Sequence, residues 1–309
     1  MNNQRPSSRR TPGSSSVTEE DPGFRRDDGL IPVSVIVATR NEEANIGRCL
    51  AALRDFSEVV VVDSNSTDNT AELARAAGAR VENFTWNGAY PKKRQWCLDN
   101  LSLKHDRVFF VDADEVVTEG LRHEIAETLP PCPPARGGEK LKGARGGEIP
   151  AGYFVRGRYV IGGRVLRFGL SNNKLCIFDR RRMEFPVIDD LDIPGMGEIE
   201  GHYQPVLKHG ARGKTGQLKN ALLHYAYDEK REERHRRYAA WESGMNGKNA
   251  WPRDPVERRQ ILKRVFRLLP GRPLWAFLHC YVLKLGLLDG MTGFKFACDR
   301  FRYYRLIQS

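Results

Sequence analysis

The chain has 309 residues, of which 40% are hydrophobic and 29% are charged, a composition typical of a globular enzyme rather than a fibrous or disordered chain. The formal net charge of +11 is compatible with a nucleic acid, an anionic membrane surface or a polyanionic substrate as partner. The six cysteines are scattered without a Cys-x-x-Cys pair, which excludes the usual zinc-binding spacing and indicates a reducing compartment.

Residues 1–30 are rich in Ser, Pro, Gly and Arg, and we expect them to be a disordered tail. The first residues lack the apolar segment of a signal peptide. No apolar run reaches the roughly 20 residues that a membrane-spanning helix needs. We therefore expect ordered structure from Val33 onward and no membrane span.

Short apolar runs then alternate with amphipathic stretches. The predicted elements are a strand at Val33–Ala38, a helix from Glu42 to about Arg54 capped by Asn41, a strand at Val59–Val62, a helix capped by Ser66 or Thr67 and ended by Gly78, a strand at Val108–Val111, and a helix from Thr118 to Pro130. This alternation predicts an α/β fold with a mostly parallel sheet flanked by helices.

The second half of the chain changes character twice. Residues 130–150 are rich in Pro, Gly, Lys and Arg and are predicted to be a flexible insertion. Residues 152–225 contain further strands, and the chain becomes helical and basic after Asp228. Residues 228–309 hold 18 of the Lys and Arg residues but only 9 of the Asp and Glu residues. We therefore expect a catalytic domain over 31–227 and a basic helical extension over 228–309.

Polar residues follow three of the predicted strands directly. They are Thr39-Arg40-Asn41-Glu42, the segment 63–68, and Asp112-Ala113-Asp114-Glu115. Ligands of open α/β sheets bind at the carboxyl ends of the strands. Two carboxylates spaced i, i+2 can approach one Mg²⁺ or Mn²⁺, which prefer oxygen ligands shared with substrate phosphates. The structural alternative is a pair of solvated acids before a helix N-terminus.

Other polar residues have two interpretations each. Asp63 can accept hydrogen bonds from a nucleoside or can stabilise the following turn. Lys93 and Arg94 can reach a diphosphate or can be solvated surface residues. His224 can be a third metal ligand or a structural histidine. The chain has no G-x-G-x-x-G after a strand, no P-loop motif and no G-x-S-x-G, so dinucleotide, P-loop and serine-hydrolase sites are not supported.

The three segments 33–43, 61–68 and 110–115 resemble the family 2 glycosyltransferases, within them the subgroup that includes the lipopolysaccharide-core β-glucosyltransferases. Arg272-Pro273-Leu274 and the segment 287–290 are similar to the ending of that subgroup. The resemblance implies a GT-A fold, a UDP-sugar donor, a glycan or glycolipid acceptor, Mn²⁺ or Mg²⁺ as cofactor, and inversion of the anomeric carbon.

The resemblance also implies roles for individual residues. By this resemblance, the nucleotide would be contacted by Thr39, Asn41, Glu42 and Asp63, and the diphosphate by Lys93 and Arg94. The metal ion would be bound by Asp112, Asp114 and His224, and Asp114 would also be essential for catalysis. For the general base we choose Glu198, with Asp189, Asp190, Asp192 and Glu200 as rivals, because the segment 185–204 departs from the subgroup's pattern.

Residues 255–309 combine Lys and Arg with many aromatic residues, a composition suited to an anionic membrane interface. We expect peripheral attachment to the inner face of the cell membrane, in the cytoplasm. Alternatively, these aromatics pack against the catalytic domain. Rival functions are a nucleotidyltransferase, disfavoured because the loop after the first strand lacks glycine, and a nucleic-acid binder or non-catalytic scaffold. No nucleic-acid partner is expected, because the acidic strand ends would repel phosphate unless metal is bound.

Overall fold

A computed structural model describes residues 29–129, 149–201 and 203–308. The described residues from Ile31 onward form one compact unit. Residues 1–28 of the predicted tail over 1–30 and residues 130–148 of the predicted insertion over 130–150 lie outside the described residues, as does the predicted helix end at Pro130.

Strands and helices alternate in the first part of the chain. They are β1 (Ile31–Thr39), α1 (Glu43–Ala51), β2 (Phe56–Asp63), α2 (Thr70–Ala76), β3 (Arg80–Asn83), α3 (Lys93–Asn100), β4 (Arg107–Asp112), β5 (Glu115–Val117) and α4 (Glu119–Thr128). Val35, Ile36 and Val37 of β1 are completely buried. Strands that are apolar on both faces belong in a sheet covered on both sides.

The second part begins with strands and ends with helices. The strands are β6 (Gly152–Ile161), β7 (Arg164–Val165), β8 (Asn172–Asp179), β9 (Met183–Glu184), β10 (Val206–Leu207) and β11 (Thr215–His224). The helices are α5 (Arg231–Lys248), α6 (Glu257–Leu268), α7 (Arg272–Leu278), a π-helical turn (His279–Leu283), a 3₁₀ turn (Gly286–Asp289) and α8 (Gly290–Gln308).

Among the described residues, nine strands form one sheet whose main order is β3-β2-β1-β4-β8-β6-β11-β5, with β7 paired to β6. The pairs β3–β2, β2–β1 and β1–β4 are parallel. Of the remaining pairs, β6–β11 is parallel, whereas β4–β8, β8–β6 and β11–β5 are antiparallel. The sheet is therefore mixed: the first four strands are parallel as predicted, and β6–β11 is one further parallel pair among antiparallel neighbours.

Two of the predicted helix caps are wrong. Asn41 has a left-handed backbone (φ +55°), and α1 begins after Glu42 without a side-chain cap. Asn41 instead accepts a hydrogen bond through Oδ1 from the Thr67 amide at 2.8 Å. The residue before α2 is Asn69 rather than Ser66 or Thr67. The cap at Thr118 is confirmed, since its hydroxyl accepts from the Leu121 amide.

The basic helices pack onto the sheet as well as onto each other. The ring of Phe296 in α8 lies 5.0 Å from the ring of Tyr159 in β6, and Tyr303 donates to Glu242 of α5 at 2.7 Å. No single described helix has both the length and the apolarity to cross a bilayer. Only Arg272–Leu283 and Gly286–Gln308 together reach that threshold, with a 72° bend between them.

Candidate active site

The three polar strand ends meet at one edge of the sheet. Strand β1 lies between β2 and β4, and its register places Thr39 beside Asp63 and Ala38 beside Asp112. Because parallel strands end at the same edge, the polar residues that follow them are neighbours in space although up to 75 positions separate Thr39 from Asp114 in the sequence.

The ends of β1 and β2 are joined by hydrogen bonds around Asp63. This carboxylate is 2% exposed and accepts from the Thr39 hydroxyl at 3.0 Å and from the Ser66 amide at 2.7 Å. Each carboxylate oxygen has more than one lone pair, so these bonds fix the orientation of Asp63 without exhausting its capacity to accept. Nearby, burial raises the pKa of Glu42, while a hydrogen bond from Asn45 opposes the shift.

Helix α3 delivers two consecutive cations to this edge. Lys93 is 4% exposed and donates to the Thr39 carbonyl at 2.8 Å and to the Ser64 hydroxyl at 2.7 Å. Burial lowers the pKa of Lys93, and the nearby Glu198 carboxylate opposes this shift. Arg94 donates to Asp112 Oδ1 at 3.0 Å. Neither residue is a solvated surface group, so that alternative is wrong for both.

Asp112 and Asp114 lie in a partly buried cluster with Glu115, which belongs to the same predicted strand end, and with Lys174, which the sequence did not single out. Asp112 accepts from Lys174 of β8 through Oδ2 at 2.8 Å, and Lys174 also bonds Glu115. Glu115 accepts from the Asp112 amide at 2.9 Å. Burial alone would raise the pKa of Asp112, but Lys174 and Arg94 hold it well below its usual range. Burial raises the pKa of Glu115 despite Lys174.

Asp114 pairs with His224 at the end of β11. The distance from Asp114 Oδ2 to His224 Nε2 is 3.3 Å. Burial would lower the pKa of the imidazole, but the Asp114 carboxylate raises it above its ordinary value. The pKa of Asp114 is lowered in turn, since the charge of His224 outweighs the effect of burial. His224 Nδ1 is buried without a hydrogen-bond partner.

These residues fit a divalent cation in part. Two ligands of one Mg²⁺ at about 2.1 Å and at right angles are about 3 Å apart, close to the Asp114–His224 distance. Asp112, the third predicted ligand, has its two oxygens bonded to Arg94 and Lys174. Within the described ranges, no group of three or more His, Cys, Asp or Glu residues is arranged to hold a metal ion.

The candidate general bases differ sharply in their contacts. Glu200 is buried and accepts from the Arg94 and Gln95 amides at 2.9 and 2.8 Å, so it stabilises the N-terminus of α3. Asp190 accepts from Tyr90, Lys92 and Trp241.

Asp189 and Asp192 are exposed and pair with Lys248. Glu198 lies beside the strand ends, with its carboxylate 4.0 Å from Lys93 Nζ. Its backbone carbonyl accepts from the Lys93 amide at 2.9 Å.

The comparison with protein families agrees with this architecture. Residues 34–129 match the model of glycosyl transferase family 2. That segment belongs to glycosyl transferase family 2. The family 2 segment runs from β1 to the end of α4 and includes Asp112 and Asp114, but Lys174, Glu198 and His224 lie beyond it. Together with the mixed sheet and its flanking helices, the match confirms the expected GT-A type α/β fold.

Curated relatives match about a third of the chain. The lipopolysaccharide core biosynthesis glycosyltransferase LpsC of Rhizobium meliloti is 36% identical over 104 residues, which are 32% of this chain and 37% of the relative. An uncharacterized glycosyltransferase of Rickettsia typhi is 35% identical over 97 residues, 30% of this chain and 31% of the relative. The chain thus spans about a third of the length of these relatives.

A solved structure with partial similarity is glucosyl-3-phosphoglycerate synthase from Mycobacterium tuberculosis, in complex with Mn²⁺, UDP and glucosyl-3-phosphoglycerate. It is 26% identical, with 48% of this chain and 52% of that chain covered and a TM-score of 0.28. At this TM-score the two folds overlap too little for residues or ligands to be transferred between them.

Proposed function

We propose that the protein is an inverting glycosyltransferase that moves a hexose from a UDP-sugar to a lipid-linked or lipopolysaccharide-type glycan. The observation that carries the proposal is the Asp114–His224 pair beside the polar ends of β1 and β2, at the edge where α/β sheets bind ligands. The family 2 match over 34–129 and the similarity to LpsC support the reaction class and the kind of acceptor.

The donor would lie along the carboxyl edge of the sheet. In this arrangement the nucleoside contacts Thr39, Asn41, Glu42 and Asp63, and the diphosphate lies toward β4. Asp114 and His224 would hold Mn²⁺ or Mg²⁺, which when bound offsets the negative charge of the diphosphate. Asp112 then serves as an anchor for Arg94 and Lys174, which keeps two positive side chains at the diphosphate end of the edge.

Glu198 is our candidate for the general base that takes the proton from the acceptor hydroxyl. Its support is that the rival carboxylates have other functions: Glu200 caps α3 and Asp190 bonds three donors. Removal of the hydroxyl proton makes the acceptor oxygen a nucleophile. Attack from the face opposite the diphosphate forms the new glycosidic bond as the bond from the anomeric carbon to the diphosphate breaks, which releases UDP and inverts the anomeric carbon.

We also propose attachment to an anionic membrane surface at the cytoplasmic face. Helix α6 has no buried residue, and Ile261, Leu262 and Leu268 are 57%, 60% and 78% exposed. Further along, Trp275 and Phe294 are 49% and 41% exposed, whereas Phe296 and Tyr303 are buried. The aromatics of this region thus divide between packing against the protein and exposure, and the exposed ones accompany Lys and Arg as at a lipid interface.

The donor proposal is tested by thermal unfolding with UDP-, GDP- and dTDP-sugars, each with and without Mn²⁺. A ligand that binds only the folded state raises the melting temperature, so one nucleotide class should raise it in a metal-dependent way. Asp114→Asn should abolish the metal-dependent part. Asp189→Asn makes the same change at an exposed aspartate and should leave it intact. Folded protein that responds to none of these nucleotides would overturn the proposal.

A further inference from the structure

A basic cleft lies outside the candidate active site, between the segment 249–254 and helix α6. We call it the α6 cleft, and it is lined by Tyr203, Gln204, Asn249, Trp251, Pro252, Arg253, Asp254, Gln260, Lys263, Arg264 and Arg267. Four of these residues are cations and one is an acid. Four lining residues of α6 are at positions 260, 263, 264 and 267, a spacing that places them on one side of the helix.

The one acid of the α6 cleft does not neutralise its cations. Asp254 Oδ2 accepts from Lys263 at 2.8 Å and from Arg259 at 2.9 Å. Arg253 and Arg264 form no ion pair with another described residue, and both are exposed. Four cations facing one shared carboxylate leave a net positive potential, which a bound anion would offset.

Aromatic side chains accompany the charges. The Arg267 guanidinium lies 3.8 Å from the centre of the Trp251 ring, and Trp251 donates to Asn246 at 3.0 Å. These contacts fix the Trp251 indole in the wall of the cleft, with one ring face against the Arg267 guanidinium. Because Trp251 and Tyr203 add ring surface to the cationic lining, the cleft can contact the apolar face of a sugar as well as its charge, which favours an anionic sugar over an inorganic ion.

The α6 cleft leads toward the candidate active site. Tyr203 and Gln204 also line a second, smaller cavity, whose lining includes Arg94 and Lys174. These two cations hold Asp112. The α6 cleft and the second cavity therefore share a wall of two residues, and the second cavity is lined by the two cations that contact Asp112.

We propose that the α6 cleft binds a phosphate ester on a sugar of the acceptor, and so selects acceptors that carry this charge. The identification of the ligand as acceptor rests on the proposed glycosyltransferase function, whereas phosphate-sugar binding in the cleft does not. The guanidinium groups of Arg253 and Arg264 would each donate to the phosphate, as arginine commonly does.

The test is calorimetric titration of the whole protein with glucose 6-phosphate and with glucose, in EDTA and without nucleotide. Arg253→Gln and Arg264→Gln should each weaken glucose 6-phosphate binding about tenfold, the effect of losing one charge-assisted hydrogen bond. Arg258→Gln removes the same charge from α6 outside the cleft and should leave binding unchanged. Because these three side chains are exposed, all three variants should melt at the wild-type temperature.

The experiment distinguishes a sugar phosphate from a lipid headgroup as the ligand of the α6 cleft, and it distinguishes failure of this proposal from failure of the proposed donor site. Equal binding of glucose 6-phosphate by the cleft variants and the wild type would overturn the site. Displacement of glucose 6-phosphate by phosphatidylglycerol vesicles but not by inorganic phosphate would assign the cleft to a lipid headgroup and overturn the sugar ligand. The Arg253 and Arg264 variants should keep the wild-type thermal shift with UDP. That measurement therefore tests the proposed donor site separately from glucose 6-phosphate binding in the α6 cleft.

Discussion

Lys174 is the residue whose loss should damage the acidic cluster most. Its ammonium group bonds Asp112 and Glu115 together. The Asp112 side chain is 35% exposed and retains Arg94, whereas the Glu115 side chain is fully buried. In Lys174→Met, which roughly preserves side-chain volume, the uncompensated charge is therefore that of Glu115.

Removal of one partner from a buried ion pair costs about 3–5 kcal/mol, and we expect about 3 kcal/mol here because the Asp112 amide still donates to Glu115. Such a loss is a substantial part of the 5–15 kcal/mol typical of a folded domain. In the double variant with Glu115→Gln, the buried charge is absent. The double variant should therefore recover about 2 kcal/mol relative to Lys174→Met alone, a coupling that a double-mutant cycle measures.

The measurement is urea unfolding at pH 7 and at pH 5.5. The folded-state pKa of Glu115 is already raised by burial, and loss of Lys174 raises it further. A carboxylate with a raised folded pKa makes the protein less stable as pH rises from the unfolded pKa to the folded one. Lys174→Met should thus regain stability at pH 5.5. A loss below about 1 kcal/mol at pH 7, or no recovery in the double variant, would refute this account of the cluster.

Three further outcomes follow from the described contacts. Asp114→Asn should lower the pKa of His224. In the wild type the protonated imidazole stabilises the fold until the pH rises through its raised folded-state pKa, so in the variant this stability should be lost at lower pH. An unchanged ¹⁵N NMR titration of His224 would contradict this. Glu200→Ala should cost about 2–4 kcal/mol in urea unfolding, because two backbone amides at the start of α3 lose a charged acceptor, and a loss no larger than that of an exposed acid would contradict it. Replacement of Ile261 and Leu268 by Gln should weaken sedimentation with phosphatidylglycerol vesicles about tenfold at an unchanged melting temperature, and equal sedimentation would contradict membrane docking through α6.

The sheet edge could be predicted from the sequence because its signal is local. An apolar run of β-branched residues such as Val59–Val62 is typical of a buried strand, and the polar residue that follows it is then expected at the strand end. The same reasoning places Asp112 at the end of β4. The antiparallel strands of the second half have weaker patterns, and so the sequence overestimated the parallel character of the sheet.

The partners of these residues could not be predicted from the sequence. Lys174 is 62 positions from Asp112, and nothing in its surrounding residues distinguishes it from a solvated lysine. Glu198 and Glu200 are two positions apart and look equivalent in the sequence. Only the fold shows that Glu200 faces the amides of α3 while Glu198 lies near Lys93. Asn41 failed as a helix cap because tertiary hydrogen bonds hold it in a left-handed turn.

Helix α6 carries its exposed apolar residues and its cleft-lining cations on different sides. With the proposed membrane docking and acceptor binding, one helix would touch lipid on one side and sugar phosphate on the other. A helix with its side chains is about 10–12 Å across, so the α6 cleft would lie roughly that far above the bilayer. The helix then acts as a molecular ruler, which selects acceptors whose phosphorylated sugar lies only a few units from the lipid.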